Sequence, residues 1–469
     1  MTTPAGLFTP FRRVPSLLRR AWNERRGSLT PIFAFSAIPM VGFIGLSIDY
    51  GMELAAKAKL DHAADAAVVA AITSAQTYIV NYTGQGDPTS AAMDVGKAQA
   101  AAQFKANTGT LPGTAPTPTI TMTASGRTLS ATTSYAFSMP TIFMRALGTT
   151  TASFTGTASS TLTIPAFTNI HIVIDTSSSM GIGATTADQQ TVYNATGGCA
   201  VACHHTNTTD LARNKGATLR IDVAKNAVVT ALKQIIASGN ASRFKVSVWT
   251  MSTMFTNVFT LSPAISDAIT TVQGLDITDA AKDGGTNTTY SLKTLGNTLN
   301  TDGNGLTSNT AQGFVMLITD GVQDSDMKVK SGSNWVDGYD TNFTPYTPCQ
   351  NPNCKSLTGF SVPIYIQSFD PTACATIKSK GYTLMTLNTK YIVPPANLQS
   401  SSATLNSVFT FVKDYLASSI ASNLASCASS SSYAYAARLA ERDQHRRPAD
   451  VLGRRSAGAD HELIRALCA

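Results

Sequence analysis

Five oxygen-bearing residues stand out by type and position. Asp175 ends the apolar run IHIVID and begins an Asp-x-Ser-x-Ser string with Ser177 and Ser179; Thr286 lies in GGTNT, and Asp320 closes LITD. Two carboxylates and three hydroxyls are hard donors, with no Cys or His among them, a set that suits Mg²⁺ or Mn²⁺ and not Zn²⁺. Two carboxylates roughly balance a divalent cation, which then retains an attraction for an anionic group at an open coordination position. A carboxylate from a partner protein would fit there. Thr288, two residues beyond Thr286, offers the same hydroxyl, so the choice between them stays open. An isolated Asp-x-Ser-x-Ser string is often only a Ser/Thr turn. Here it is joined by two further strings, each at an expected strand or helix boundary, and the metal reading is the stronger one.

A hydrolase built on the same oxygens would need a general base near the ion, and the polar strings DTSSS, GGTNT and TDG contain neither His nor Glu. No G-x-x-x-x-G-K-[ST] string occurs either, which argues against P-loop nucleotide hydrolysis. A second candidate is Cys199-Ala-Val-Ala-Cys203-His204-His205. Attachment of c-type haem needs two residues between the cysteines, and zinc held by Cys199, Cys203 and a His lacks a fourth ligand. A disulfide within or anchored on this insertion is the expectation. Of the cysteines at 199, 203, 349, 354, 374, 427 and 468, the first six fall in the body of the chain, an even number consistent with disulfides in an oxidising compartment. Cys349 and Cys354 flank an Asn-Pro turn and can pair across it, while the overall connectivity stays open.

The elements that must position the oxygen cluster follow from the pattern around it. IHIVID, RFKVSVWTM (243–251), GFVMLITDGV (313–322) and YTLMTLN (382–388) read as buried strands; LRIDVAKNAVVTALKQIIA (219–237), the stretch after 285–288 and TACATIKSKG (372–381) read as helices. Such alternation implies a parallel or mostly parallel α/β sheet with helices on both faces. Ligands of these sheets bind beyond the carboxyl ends of the strands, where the polar strings fall.

Upstream, Ser28 to Ile48 contains no charged side chain, and its 21 residues cover roughly 30 Å as a helix, the thickness of a bilayer core. Arginines precede this run, so the N-terminus is expected in the cytoplasm and the bulk of the chain outside it, as a single-pass membrane protein. A cleaved signal peptide would have a shorter apolar core and a small-x-small site, so an uncleaved anchor is preferred. Tyr50 to about Val80 reads as a helix with an alanine-rich stripe, either a stalk continuing the span or a surface for packing on copies or partner subunits. Residues 114–166, rich in Thr with apolar residues at alternate positions, read as a small antiparallel sheet acting as a spacer.

Charge sharpens this picture. Only 13% of residues are charged and the formal net charge is +7, of which residues 1–27 supply five and residues 428–469 two. The body between is neutral, so no basic face for nucleic acid is expected. The last stretch, 428–469, has seven Arg and no Lys, unlike the body. A solvated tail and a shifted reading frame near residue 437 are both compatible with that change.

With these residues in view, HIVIDTSSSM, GGTNT and VMLITDG resemble the three metal-binding loops of von Willebrand factor type A domains. The resemblance implies a doubly wound, mostly parallel sheet over 167–427 and a metal-ion-dependent adhesion site formed by Asp175, Ser177, Ser179, Thr286 and Asp320, some direct and some through water. RRGSLTPIFAFSAIPMVGFIGLSIDYG with LDHAADAAVVAA is similar to the TadE/TadG-like segment of Flp pilus-assembly proteins. That resemblance implies a bacterial inner-membrane protein of a Tad pilus system, non-enzymatic, whose partners are other pilus-assembly components or a surface ligand offering a carboxylate. The implied order is a basic flank (1–27), a span (28–48), an Ala-rich segment (49–113), the Thr-rich spacer, the type A domain and the Arg-rich tail. Gly27 suits prepilin cleavage, but Ile32 stands where that cleavage needs Glu, so processing is not expected. A structural scaffold whose metal only stabilises loops is the alternative function.

Overall fold

A computed structural model describes residues 29–437 except 83, 85, 199, 201–205, 279–284, 325–327, 332–333, 338–353, 358–363 and 400–402. The basic flank, Gly27, the CAVACHH cysteines and histidines, Cys349, Cys468 and residues 438–469 lie outside the described residues, as does the Cys354 side chain. The chain divides between Ile164 and Pro165 into two compact units.

The first unit is organised by α1 (Leu29–Val80), one continuous helix that includes the apolar run and the Ala-rich stretch. It is long and apolar enough to cross a membrane. Its first part is bare, with Phe33 and Phe35 more than three-quarters exposed, whereas from Ala56 onward Leu60, Ala63, Ala67, Ala71 and Ala75 are buried. The second helix, α2 (Thr89–Thr108), covers that stripe with Ala92, Gly96, Ala100 and Phe104. A side chain at Gly96 would place its Cβ 2.6 Å from the Ala71 carbonyl oxygen, so small residues here let two backbones approach closely. The alanine stripe is therefore engaged within the chain itself.

Strands β1 (Thr119–Ser125), β2 (Thr128–Pro140) and β3 (Thr151–Thr163) form an antiparallel sheet in sequence order. Along β2, Leu129, Ala131, Tyr135, Phe137 and Met139 are buried at alternate positions. The sheet packs on the helices as a further layer of this unit: the Tyr135 hydroxyl donates to Asp61 Oδ1 at 2.6 Å, and the Tyr135 and Phe104 rings lie 6.1 Å apart.

The second unit begins with β4 (Thr168–Asp175), followed by α3 (Thr186–Ala195), α4 (Thr206–Asn214), α5 (Arg220–Ala237), β5 (Phe244–Met251), β6 (Phe255–Ser262), α6 (Ile265–Gly274), α7 (Thr288–Thr298) and β7 (Gln312–Thr319). Strand β8 (Val322–Asp324) joins β11 (Cys354–Leu357) and β12 (Ile364–Ser368) in a small sheet of order β11-β12-β8, and β9 (Lys328–Ser331) pairs with β10 (Asn334–Asp337). After α8 (Ala375–Ser379) and β13 (Thr383–Asn388) come α9 (Ala403–Phe411), a π-helical turn over 412–416, α10 (Ala417–Cys427) and β14 (Ala434–Ala436).

The main sheet has six strands in the order β14-β13-β7-β4-β5-β6. All neighbours are parallel except the edge strand β6, which runs antiparallel to β5. One face carries Ile170, Ile172, Ile174 and Met316 against Val228 and Leu232 of α5; the other carries Val173, Val315 and Leu317 against Leu292 and Leu295 of α7 and Ile420 and Leu424 of α10. Burial on both faces is why these strands are apolar without alternation. Two sequence-based readings change. The helix expected over 372–381 is a 3₁₀ turn and only five residues of α8, ended by Gly381 at φ +94°. The sheet also reaches past residue 427, because β14 adds to β13.

Candidate metal centre

The strand order reverses at β4: its successor β5 lies on one side, while β7 comes back to the other. That switch point opens a crevice beyond the carboxyl ends of β4 and β7. Asp175 is the last residue of β4 and Asp320 follows the last residue of β7, so both carboxylates arrive at the crevice by strand register alone. Both are fully buried, as is Ser177.

The Asp175 carboxylate is held from both ends. Its Oδ1 accepts the Ser177 backbone N–H at 2.9 Å and the Ser177 hydroxyl at 2.6 Å, and its Oδ2 accepts the Thr319 hydroxyl at 2.6 Å. The Ser177 and Ser179 hydroxyls lie 3.1 Å apart. The Asp-x-Ser-x-Ser string thus folds back on itself, bringing three of the five expected ligands together. Burial, and then the neighbouring Asp320 carboxylate, push Asp175 up to about 7. Such a pair of carboxylates calls for a cation.

Part of that charge is met by a residue the sequence reading did not single out. Arg220, the first residue of α5, donates from Nη1 to Asp320 Oδ2 at 2.8 Å and from Nη2 to the Ile392 carbonyl at 3.2 Å, and its guanidinium lies 4.1 Å from the Tyr391 ring centroid. A signal was present: Arg220 sits on the buried stripe of α5 with Ile221, Ala224 and Val228, where a charge is out of place without a partner. Asp320 Oδ1 accepts the Val322 N–H at 3.2 Å, across a turn in which Gly321 adopts φ +81°. A Cβ at Gly321 would also meet Ile420 at 2.6 Å, so this turn requires glycine.

The third loop arrives beside the first through backbone pairing. The Thr176 N–H donates to the Met251 carbonyl at 2.8 Å, and the Asn287 N–H donates to the Ser252 carbonyl at 3.0 Å, so the ends of β4, β5 and the start of α7 are adjacent. Thr286 is buried, and its N–H donates to Asp324 Oδ1 at 2.9 Å. Asn287 caps α7 by accepting the Tyr290 N–H at 3.0 Å. The Thr288 hydroxyl is fully buried with no hydrogen-bond partner among the described residues. Hard oxygen donors, two buried carboxylates and an unsatisfied buried hydroxyl at the third loop are compatible with a Mg²⁺ or Mn²⁺ site. Among the described residues no cluster of three or more His, Cys, Asp or Glu offers a rival site. Among the described residues Cys374 and Cys427 come together, with Cα atoms 5.5 Å apart, joining the segment before α8 to the end of α10.

Comparisons with known proteins bear first on the other unit. Residues 27–77 match the putative Flp pilus-assembly TadE/G-like family. The TadE/G-like segment thus covers the whole apolar run and most of the remainder of α1. No curated protein matches the chain. Among solved structures, the chain is similar to the vWF domain of the type V pili tip protein Mfa5 from Porphyromonas gingivalis, at 13% identity, covering 65% of this chain and 96% of that one, with a TM-score of 0.31. It is similar to three N-terminal domains of the same protein at 12% identity, covering 70% of this chain and 51% of that one, with a TM-score of 0.32. The pilus adhesin SpaC from Lactobacillus rhamnosus GG matches at 13% identity, 70% of this chain and 33% of that one, with a TM-score of 0.34. The chain therefore spans about half of the longer Mfa5 structure and a third of SpaC.

Proposed function

We propose that this chain is a membrane-anchored, non-enzymatic component of a Tad/Flp pilus system whose second unit binds a protein partner through a divalent cation. The observation that carries this reading is the convergence of Asp175, Ser177, Ser179 and Asp320 at the switch point of the sheet. These residues, with Thr286 or the unpartnered Thr288 hydroxyl, would hold Mg²⁺ or Mn²⁺. When bound, the ion supplies an electrophilic position for an acidic ligand. Arg220 favours the same ligand: with its guanidinium beside Asp320, the two carboxylates and a divalent ion leave the site net positive. The TadE/G-like segment supports a pilus-assembly setting, and the bare apolar start of α1, preceded by six arginines, supports an uncleaved anchor with its N-terminus in the cytoplasm.

The test uses the full chain in lipid nanodiscs and pilus-assembly components as prey. Mg²⁺-dependent capture that is lost in EDTA, and lost in Asp175→Ala and Asp320→Ala proteins of unchanged secondary structure, is expected. Undiminished capture in EDTA would sink the metal mechanism. Unchanged pilus formation by Asp175→Ala, with a lower melting temperature only, would favour the scaffold reading.

A further inference from the structure

The loop joining β2 to β3 is unusual for a segment facing water. Within residues 141–150, Ile142, Phe143 and Leu147 are 58%, 43% and 69% exposed. The loop is nonetheless well ordered by hydrogen bonds, around a short 3₁₀ turn over Met144–Leu147.

What orders it is a carboxylate on α1. Asp49 accepts the backbone N–H groups of Ile142 at 2.9 Å, Phe143 at 2.9 Å and Met144 at 2.6 Å. The next donors are used inside the loop: Ala146, Gly148 and Thr149 donate to the carbonyls of Phe143, Arg145 and Met144. With most of its donors satisfied in this way the loop loses less on leaving water than an open loop, for which each bare group costs several kcal/mol in hydrocarbon.

Position supplies the second observation. Phe143 packs on Gly45, where an added Cβ would fall 2.6 Å from the Phe143 Cβ. Gly45 lies three residues before Ile48, the end of the uncharged run, so the contact is about 5 Å inside that end at the rise of an α-helix. The loop's apolar side chains therefore continue the exposed apolar belt of Phe43 and Ile44 sideways at the same depth. Arg145, exposed between them, suits lipid phosphate.

We infer that the 141–150 loop is a second membrane contact, inserting Ile142, Phe143 and Leu147 into the non-cytoplasmic interface beside the span. The occupant of this surface is lipid. Asp49 is the clasp that fixes the loop to the helix, so that the first unit meets the bilayer at two points and cannot swivel freely about a single helix. This inference rests on reading residues 28–48 as a span, and the experiment separates the two.

Full-length protein is reconstituted in phosphatidylethanolamine and phosphatidylglycerol vesicles, with and without lipids brominated on the acyl chains, as Phe35→Trp, Leu147→Trp and Val80→Trp variants measured against the parent. All three positions are exposed, so the substitutions leave the packing alone. Blue-shifted emission and quenching by brominated lipid at 35 and 147, with neither at 80, is the expected result. Quenching at 35 but water-like, unquenched emission at 147 overturns the loop contact and leaves the anchor standing. Blue-shifted but unquenched emission at 147 puts protein rather than lipid against the loop and also overturns it. Loss of quenching at 35 as well as 147 overturns the anchor and the loop contact together.

Discussion

The Arg220 guanidinium and the Asp320 carboxylate meet at 2.8 Å with 1% and 0% of their side chains exposed, at the point where the strand order of the main sheet reverses. A buried pair of this kind contributes modestly as a pair, but removal of one partner leaves the other charge stranded. Arg220→Met keeps the length of the side chain and removes the charge. The expected loss is about 3–5 kcal/mol in EDTA, the range for breaking a buried pair. Saturating Mg²⁺ should raise the melting temperature of this variant more than that of the parent. A variant as stable as the parent in EDTA would show that Asp320 does not depend on Arg220.

Thr288 makes a contrasting prediction. Its hydroxyl is buried without a partner, and such a group costs about 1–3 kcal/mol. Thr288→Val preserves the shape, so stability in EDTA should hold or rise. Titration calorimetry should show weaker Mg²⁺ binding than in the parent; unaltered affinity would leave Thr286 as the hydroxyl to test by the same substitution.

His171 lies on β4 on the sheet face that carries Val173, with Nδ1 2.8 Å from the Ser247 hydroxyl and its ring 5.8 Å from that of Tyr382. Burial lowers it from 6.5 to about 4. The unfolded chain therefore binds more protons between these values, and stability is present in full above pH 6.5 and falls as the pH drops towards 4. The whole effect is roughly 3 kcal/mol at 1.36 kcal/mol per pKa unit. Buried Asp175, raised to about 7, contributes with the opposite sign over the same range in both proteins, so urea unfolding followed by tryptophan fluorescence should show the His171 effect as a difference in slope between the parent and His171→Gln. Identical slopes would rule out His171 as the source.

The Cys374 and Cys427 pair closes a loop with a sequence separation of 53 residues. Chain entropy alone gives such a link about 4 kcal/mol, and measured losses on removal are typically 2–5 kcal/mol. Cys374→Ser should lower the melting temperature under oxidising conditions, and in reductant the parent should lose this advantage over the variant. A parent insensitive to reductant would show that the pair is not bonded in solution.

Much of this was legible in local pattern. IHIVID, RFKVSVWTM and GFVMLITDGV became β4, β5 and β7 because strands covered on both faces need continuous apolar residues. The edge strand β6 escaped notice because one of its faces is largely open, giving FTNVFTLS a weak alternation, and β14 because three residues carry no pattern. The alanine stripe announced close helix contact, but only the fold could say that α2 meets it.

The same division holds for the candidate site. Asp175, Ser177 and Ser179 were readable because a five-residue turn brings its own side chains together, and the proposal of a hard divalent cation rests on their donor types. Asp320, more than a hundred residues away, joins Asp175 only through the parallel register of β4 and β7. Arg220 reaches Asp320 because α5 packs its apolar stripe on that sheet and carries the first residue of the helix to the crevice. Asp49 reaches the 141–150 loop in the same indirect way. Residue chemistry and short-range spacing are written in the sequence; which distant charges share one buried volume is set by strand order and packing, which depend on the whole chain at once.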